Sequence, residues 1–287
     1  MERNLRQYSV LTTQDNFAIG HFNVSNWEGV KAIQEACAEA NTPIIIGVSQ
    51  GEAEFMGIET IAAIVRAFRE KMNLPVFLNA DHFKDMAMVE SAAKAGFDSI
   101  LFDAASDSWE DNIAKTKQAV DLVKSINPNI LVEGELGYIG VGSVVRDKIP
   151  EGAVIDESFM TTPEQAKEFV FKTGVDLIGP AVGNIHGIVK GYKENININR
   201  ITSIRAAVET LLVLHGASGI GDELLRQAVK AGISIIHINT ELRVVWKDGL
   251  TKSLKESGDE VAPYKILKPV VSDLKQLILH KVGLFHG

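Results

Sequence analysis

The sequence predicts an α/β fold, one (β/α)8 TIM barrel with a C-terminal helical extension, and three observations carry that prediction. Short apolar, β-branched runs recur eight times, at intervals of roughly 25 to 40 residues. Each run is followed by a stretch whose apolar residues fall three and four apart, the helical period. Most runs are apolar throughout rather than alternating, which marks strands covered on both faces and therefore a parallel sheet.

The predicted strands are residues 18–24, 43–49, 75–81, 99–103, 130–136, 175–182, 211–215 and 233–239. Between them the helices carry their own punctuation. Asn26 can cap a helix running to Ala40, and Thr162-Pro163-Glu164-Gln165 sets a cap residue, a first-turn proline and an acid ahead of Ala166 to Lys172. Gly96, Gly174 and Gly232 each close a helical pattern just before the next strand, where positive φ is expected. Eight such units in 287 residues fit a closed barrel better than an open doubly wound sheet, and no Gly-x-Gly-x-x-Gly turn follows the first strand.

Two stretches fall outside the repeat. Residues 137–160 form a long connection containing glycines and charges, a candidate mobile active-site loop. Residues 256–287 read as an added amphipathic helix, with Ile266, Val270, Leu274, Leu277 and Ile278 on its apolar side, so that residues 1–287 form one barrel domain with an extension.

Composition narrows the class of function. With 46% hydrophobic and 23% charged residues the chain is an ordinary globular one, and its length supports a core without disulfide or metal staples. A net charge of −8 and the lack of a basic run argue against nucleic acid and anionic membrane as partners. A small anionic substrate stays open, because a local pocket can oppose the global charge. The single cysteine, Cys37, reads as a small buried hydrophobe. The charged start, Met1 to Asn4, lacks the apolar core of a secretory signal and no apolar run approaches 18 residues, so the expected location is the cytoplasm.

In a barrel of this kind the reactive groups sit at the C-terminal ends of the strands. Those ends carry Asp81-His82, Glu133-Gly134-Glu135, Asn184-Ile185-His186-Gly187, His215-Gly216-Ala217-Ser218 and His237-Ile238-Asn239-Thr240-Glu241. His82, His186 and His215 fall at or just past strands predicted without reference to them. Three imidazoles converging there leave a metal position open for substrate, with Glu135 as a reserve ligand or an orienting group. Zinc suits that set, and ligand type alone also admits Co2+, Mn2+ or Fe2+. Asp81 adjoins a ligand and is placed for proton transfer beside the metal, or for holding a histidine N–H. Gly187, Gly216 and Gly219 mark turns whose bare amides suit an anion, with Ser218 and Thr240 at the loops after the seventh and eighth strands and Lys190 as counter-charge.

At these residues the chain resembles the class II, metal-dependent ketose-bisphosphate aldolases, which include fructose-1,6- and tagatose-1,6-bisphosphate aldolases. The similar passages are His21-Phe22-Asn23-Val24, Val48-Ser49-Gln50-Gly51, Asp81-His82, Val132 to Gly137, Thr162-Pro163-Glu164, Thr173 to Asp176, His186 to Lys190, Leu212 to Gly219, and Thr240-Glu241-Leu242-Arg243, which together span nearly the whole chain. The resemblance implies one zinc ion on His82, His186 and His215 with Glu135 near it, Co2+ or Mn2+ as substitutes, and a monovalent cation as an allowed companion. It implies Asp81 as the catalytic acid–base, and Gly187, Lys190, Gly216 and Ser218, with Asn239 and Thr240, around the phosphate of dihydroxyacetone phosphate. Ser49 and Arg243 match contacts to a second phosphate. In family members a neighbouring subunit supplies that arginine, which implies a homodimer or homotetramer.

The implied activity is a reversible aldol cleavage of a ketose phosphate such as fructose 1,6-bisphosphate to dihydroxyacetone phosphate and an aldehyde, glyceraldehyde 3-phosphate in that case. The metal would act as a Lewis acid on the ketone and its adjacent hydroxyl. Alternatives are a tagatose-1,6-bisphosphate aldolase, an aldolase with another acceptor, and a non-catalytic sugar-phosphate-binding homologue. Two departures bear on these. Where the family has Asn-x-Asp-Thr on the eighth strand, this chain has His237 and Asn239, and His237 reads as a general acid, a fourth ligand or a core residue. Where the family has a loop glutamate, this chain reads Gly140-Val141-Gly142-Ser143, so Asp147, Glu151, Asp156, Glu157 or His237 would have to take over its proton transfer.

Overall fold

In a computed structural model the described residues are 4–140, 142–153, 155–192 and 195–286. The N-terminal Met1, Glu2 and Arg3, the loop residue Val141 and the final Gly287, all used in the sequence reading, lie outside them.

The eight expected strands are β1 (Ile19–Asn23), β2 (Ile44–Ser49), β3 (Val76–Phe83), β4 (Ser99–Phe102), β5 (Leu131–Leu136), β7 (Leu177–Pro180), β9 (Leu211–Leu214) and β10 (Ile233–Ile238). They close into a parallel barrel in the order β1-β10-β9-β7-β5-β4-β3-β2. Every residue of β1, β5, β7 and β10 is buried, as strands sheathed by helices must be.

The helix signals act where the residue types place them. Asn26 accepts from the Gly29 amide and caps α2 (Trp27–Ala40). Thr162 forms a capping box with Gln165, and Pro163 opens α7 (Pro163–Thr173). Gly96 and Gly174 end their helices in the left-handed conformation. Cys37 is buried, and burial pushes its thiol up to about 12.

Three features add to the predicted repeat. An N-terminal helix, α1 (Leu5–Asp15), precedes β1, and its Leu5 packs on Ile19, Ile45, Phe77, Leu131, Leu177, Val213 and Ile235 from the barrel strands. A side chain from outside the barrel thus seals the interior. The loop 137–160 holds β6 (Val145–Arg146), which pairs in parallel with β8 (Ile188–Val189) just beyond His186. That ribbon ties the loop to the site. At the C-terminus, α10 (Thr240–Glu256) leads into α11 (Pro263–Phe285), which packs on α2 and α10. Val270, Leu274 and Ile278 are buried there as expected, and Phe285 accepts the Ala18 amide at the foot of β1.

Candidate active site

The site begins with a fault in β3. Consecutive residues of a regular strand face opposite sides, yet Asp81 and His82 both line one cleft. The register against β4 slips between Ala80 and Phe83, and His82 takes φ 53°, a left-handed conformation rare for a non-glycine. The bulge turns the imidazole onto the same side as the carboxylate.

His82, His186 and His215 come together there, with one ligand nitrogen of each within 4.8 Å of the others. In each ring a neighbour fixes the other nitrogen. His186 Nδ1 donates to the Gly140 carbonyl at 2.8 Å, and His215 Nε2 donates to Glu133 Oε1 at 2.7 Å. His82 Nδ1 lies 3.3 Å from Asp103 and 3.4 Å from Glu135. The remaining nitrogens, Nε2 of His82 and His186 and Nδ1 of His215, are left to face an ion, the arrangement that orients metal-bound imidazoles.

The carboxylates around the three rings favour positive charge there. Burial opposes charge on His82, but the carboxylates of Asp81 and Glu135 outweigh it and hold the ring well above the usual imidazole range. Burial brings His186 down to about 4, so that ring is neutral, as a ligand must be. Glu135 Oε1 is buried with no hydrogen-bond partner among the described residues. Three imidazoles with fixed tautomers beside an unpartnered carboxylate oxygen fit a divalent cation of the zinc type.

A second convergence, His21, Asp81 and His237, has its ligand atoms equally close. It suits a metal poorly. His21 and His237 are register partners on β1 and β10, and their rings stack at 3.5 Å with 6° between planes. In-plane lone pairs on parallel rings cannot both aim at one ion. The stack serves Asp81 instead: His237 Nδ1 lies 3.3 Å from Asp81 Oδ1, and Asn23 donates to Asp81 Oδ2 at 2.9 Å. Burial would raise the Asp81 carboxyl, but His82 and His237 hold it well below the usual range. Burial first, then His21 and His215, hold His237 well below its ordinary value. The result is a carboxylate base beside a neutral imidazole.

Gly187, Gly216, Ser218, Asn239, Thr240, Ser49 and Arg243 all line the cleft. Gly187 and Gly216 have positive φ, and a Cβ there would meet the carbonyl oxygens of Val144 at 2.5 Å and Ile185 at 2.3 Å, so only glycine fits either turn. Ser218 Oγ accepts the amides of Asn239 and Glu241 at 3.2 and 3.3 Å. The hydroxyl thereby pins the loop after β9 to the start of α10.

Three sets of expected residues sit as follows. Lys190 is not in the cleft lining: its side chain is two-thirds exposed and paired with Asp147 at 3.0 Å, because the β6–β8 ribbon carries it outward. The cation beside Gly187 is Arg146, whose guanidinium a Gly187 Cβ would meet at 3.2 to 3.4 Å. Arg243, which the resemblance draws from a neighbouring subunit, lines its own chain's cleft and pairs with Glu52 at 2.6 Å. The loop acids stay away from the cleft: Asp147 faces Lys190, Asp156 caps Ser158, Glu157 faces Arg200, and Glu151 is exposed. Of the proposed replacements for the loop glutamate, His237 alone lines the cleft.

Sequence reasoning gave no role to Glu133, Asp103, Glu52, Arg146 or His21. Glu133 and Glu135 were legible, since two acids two apart on a strand share a face. The others depend on loop and cross-strand geometry.

Comparison with known proteins agrees with this arrangement. The family model described as fructose-bisphosphate aldolase class-II matches residues 4–287. A probable fructose-bisphosphate aldolase of Bacillus subtilis is 32% identical over 95% of this chain and 93% of its own length. The fructose-bisphosphate aldolase of Geobacillus stearothermophilus is also 32% identical, over 94% and 91%. Among solved structures, the YdjI aldolase from Escherichia coli K12 superposes with a TM-score of 0.82 at 30% identity, over 99% of this chain and 97% of that one. Matched from residue 4 to 287 by the family model and over nearly its whole length by relatives of 30% identity or more, the chain belongs to the class II fructose-bisphosphate aldolase family of aldehyde-lyases.

Proposed function

We propose that the protein catalyses the reversible, zinc-dependent aldol cleavage of a ketose phosphate to dihydroxyacetone phosphate and an aldehyde. The observation that carries the reading is the placement of the Asp81 carboxylate, with Oδ1 buried and lacking a hydrogen-bond partner among the described residues, at the edge of the three-histidine set. His82, His186 and His215 would hold the ion, with Glu135 in reserve. When bound, it supplies Lewis-acid polarisation of the ketone and its adjacent hydroxyl.

The chain's own groups manage the protons. In cleavage the C4 hydroxyl gives its proton to Asp81 as the C3–C4 bond breaks. The O–H pair becomes the second carbon–oxygen bond of the aldehyde, the C3–C4 pair stays on C3, and protonation of C3 completes dihydroxyacetone phosphate. Asn23, by donating to Asp81 Oδ2 at 2.9 Å, fixes the carboxylate so that Oδ1 is the proton acceptor. In this reading His237, 3.3 Å from that oxygen and on the cleft wall, exchanges the C3 proton. The amides near Gly187 and Gly216, with Ser218, Asn239 and Thr240, receive the donor phosphate, and Arg146 supplies counter-charge in the place expected for Lys190. A homodimer or homotetramer is part of this reading.

The test is a panel of ketose phosphates scored for dihydroxyacetone phosphate release by zinc-loaded protein. Release from at least one, lost in Asp81→Ala while zinc stays bound, supports the reading. Unchanged turnover in Asp81→Ala overturns the role of that residue.

A further inference from the structure

The two groups expected to hold a second phosphate are already engaged by an acid of the same chain. Glu52, in α3 (Gln50–Met56), is 7% exposed. Its Oε2 accepts the Ser49 amide at 2.8 Å and Asn23 Nδ2 at 3.1 Å, and its Oε1 accepts Arg243 Nη2 at 2.6 Å. Arg243 Nη1 is taken by the Ser143 carbonyl at 3.0 Å. A phosphate dianion placed between Ser49 and Arg243 would meet a buried carboxylate of like charge. Drawing Arg243 away would strip that carboxylate of its cation, which is costly at a buried site. The Asn23 amide that bonds Glu52 also bonds Asp81, so the acid stands on the acceptor side of the reacting centre.

Beyond it the cleft has somewhere else to send a substrate. A neighbouring cavity of about 480 Å³ shares Asn23, Asn239 and Arg243 with the cleft. Three of its lining residues carry buried polar atoms without a partner among the described residues: the acceptors Asn23 Oδ1 and Asn239 Oδ1 and the donor Trp246 Nε1. Buried polar groups are ordinarily satisfied, and two acceptors with a donor match hydroxyl groups rather than a phosphate.

Resting on the aldolase reading, we propose that the acceptor half of the substrate ends in hydroxyls, making it a ketose 1-phosphate rather than a 1,6-bisphosphate, and that Glu52 determines this specificity by excluding the second phosphate. The experiment compares kcat/KM for fructose 1-phosphate and fructose 1,6-bisphosphate in the zinc-loaded wild type and in Glu52→Gln. Glutamine still serves a capping box with Ser49, so the substitution removes the charge with little cost to α3. The wild type should favour the monophosphate by about tenfold or more, and Glu52→Gln should shift the ratio toward the bisphosphate by about tenfold. A wild-type preference for the bisphosphate overturns the proposal, with or without the variant. So does a monophosphate preference that Glu52→Gln leaves unmoved. Cleavage of neither compound, nor of any other ketose phosphate, overturns the aldolase reading beneath it.

Discussion

Gly47→Ala probes whether the buried imidazole stack is a fitted part of the site. A Cβ on Gly47 would lie 2.0 Å from His21 Cε1 and 2.3 Å from Nε2, far inside van der Waals contact. The ring would have to retreat by more than an ångström, but His237 stacks on it at 3.5 Å and Asn79 Oδ1 holds its Nε2–H at 3.0 Å. Overpacking of this kind costs about 1–3 kcal/mol. Losing the bond leaves Asn79 Oδ1 buried and unsatisfied, for about 1–2 kcal/mol more. Urea unfolding should therefore show a loss of about 2–5 kcal/mol. Because His237 moves with the stack and lies 3.3 Å from Asp81, kcat should fall by about tenfold or more. His21→Ala vacates the space, so adding Gly47→Ala to it should cost less than about 0.5 kcal/mol, a coupling that a double-mutant cycle reads directly. A Gly47→Ala protein with parental stability and turnover, or a double variant whose costs simply add, would refute the reasoning.

Other consequences follow from the same geometry. Burial holds His21 neutral, down to about 4 from 6.5. Because that pKa is depressed on folding, the unfolded chain takes up the proton first, so the stability due to His21 is full above pH 6.5 and falls as the pH drops toward 4. At pH 5 the loss is about 2 kcal/mol. In metal-free protein, His21→Gln should flatten the acid limb of the urea-midpoint profile by that much, and superimposable limbs would contradict it. Glu133→Gln, which weakens the partner of His215 Nε2, should lower zinc affinity by about 10–100-fold in chelator competition; unchanged affinity would show that Glu133 does not orient the ligand. Arg146→Ala should raise KM for the cleaved ketose phosphate by about tenfold while Lys190→Ala changes it less than about threefold, and the reverse order would return the counter-charge to Lys190.

The barrel was legible because its strands are apolar along their whole length and its helices are punctuated. Caps such as Asn26 and Thr162 act within three residues, so local sequence suffices to locate them. The convergence of three histidines was legible because strand ends are where such a barrel gathers its chemistry, and His82, His186 and His215 stood at three of them. What stayed hidden depends on register and on contacts across the chain. Nothing local says that His21 and His237 are register partners on strands at opposite ends of the sequence. The Glu52–Arg243 pair spans 191 positions. The outward position of Lys190 was hidden for a related reason: the β6–β8 pairing that turns it involves a loop whose sequence carries no strand signal. The bulge that brings Asp81 and His82 to one side was likewise invisible, since alternation places them apart.

The central claim, that three histidines and Asp81 form a metal-dependent aldolase site, is tested most directly by zinc titration. Protein stripped with chelator should release no dihydroxyacetone phosphate from its ketose phosphate, and zinc should restore release in proportion up to one equivalent per chain. Full activity after stripping, or one bound zinc per chain with no release from any ketose phosphate, would contradict the claim.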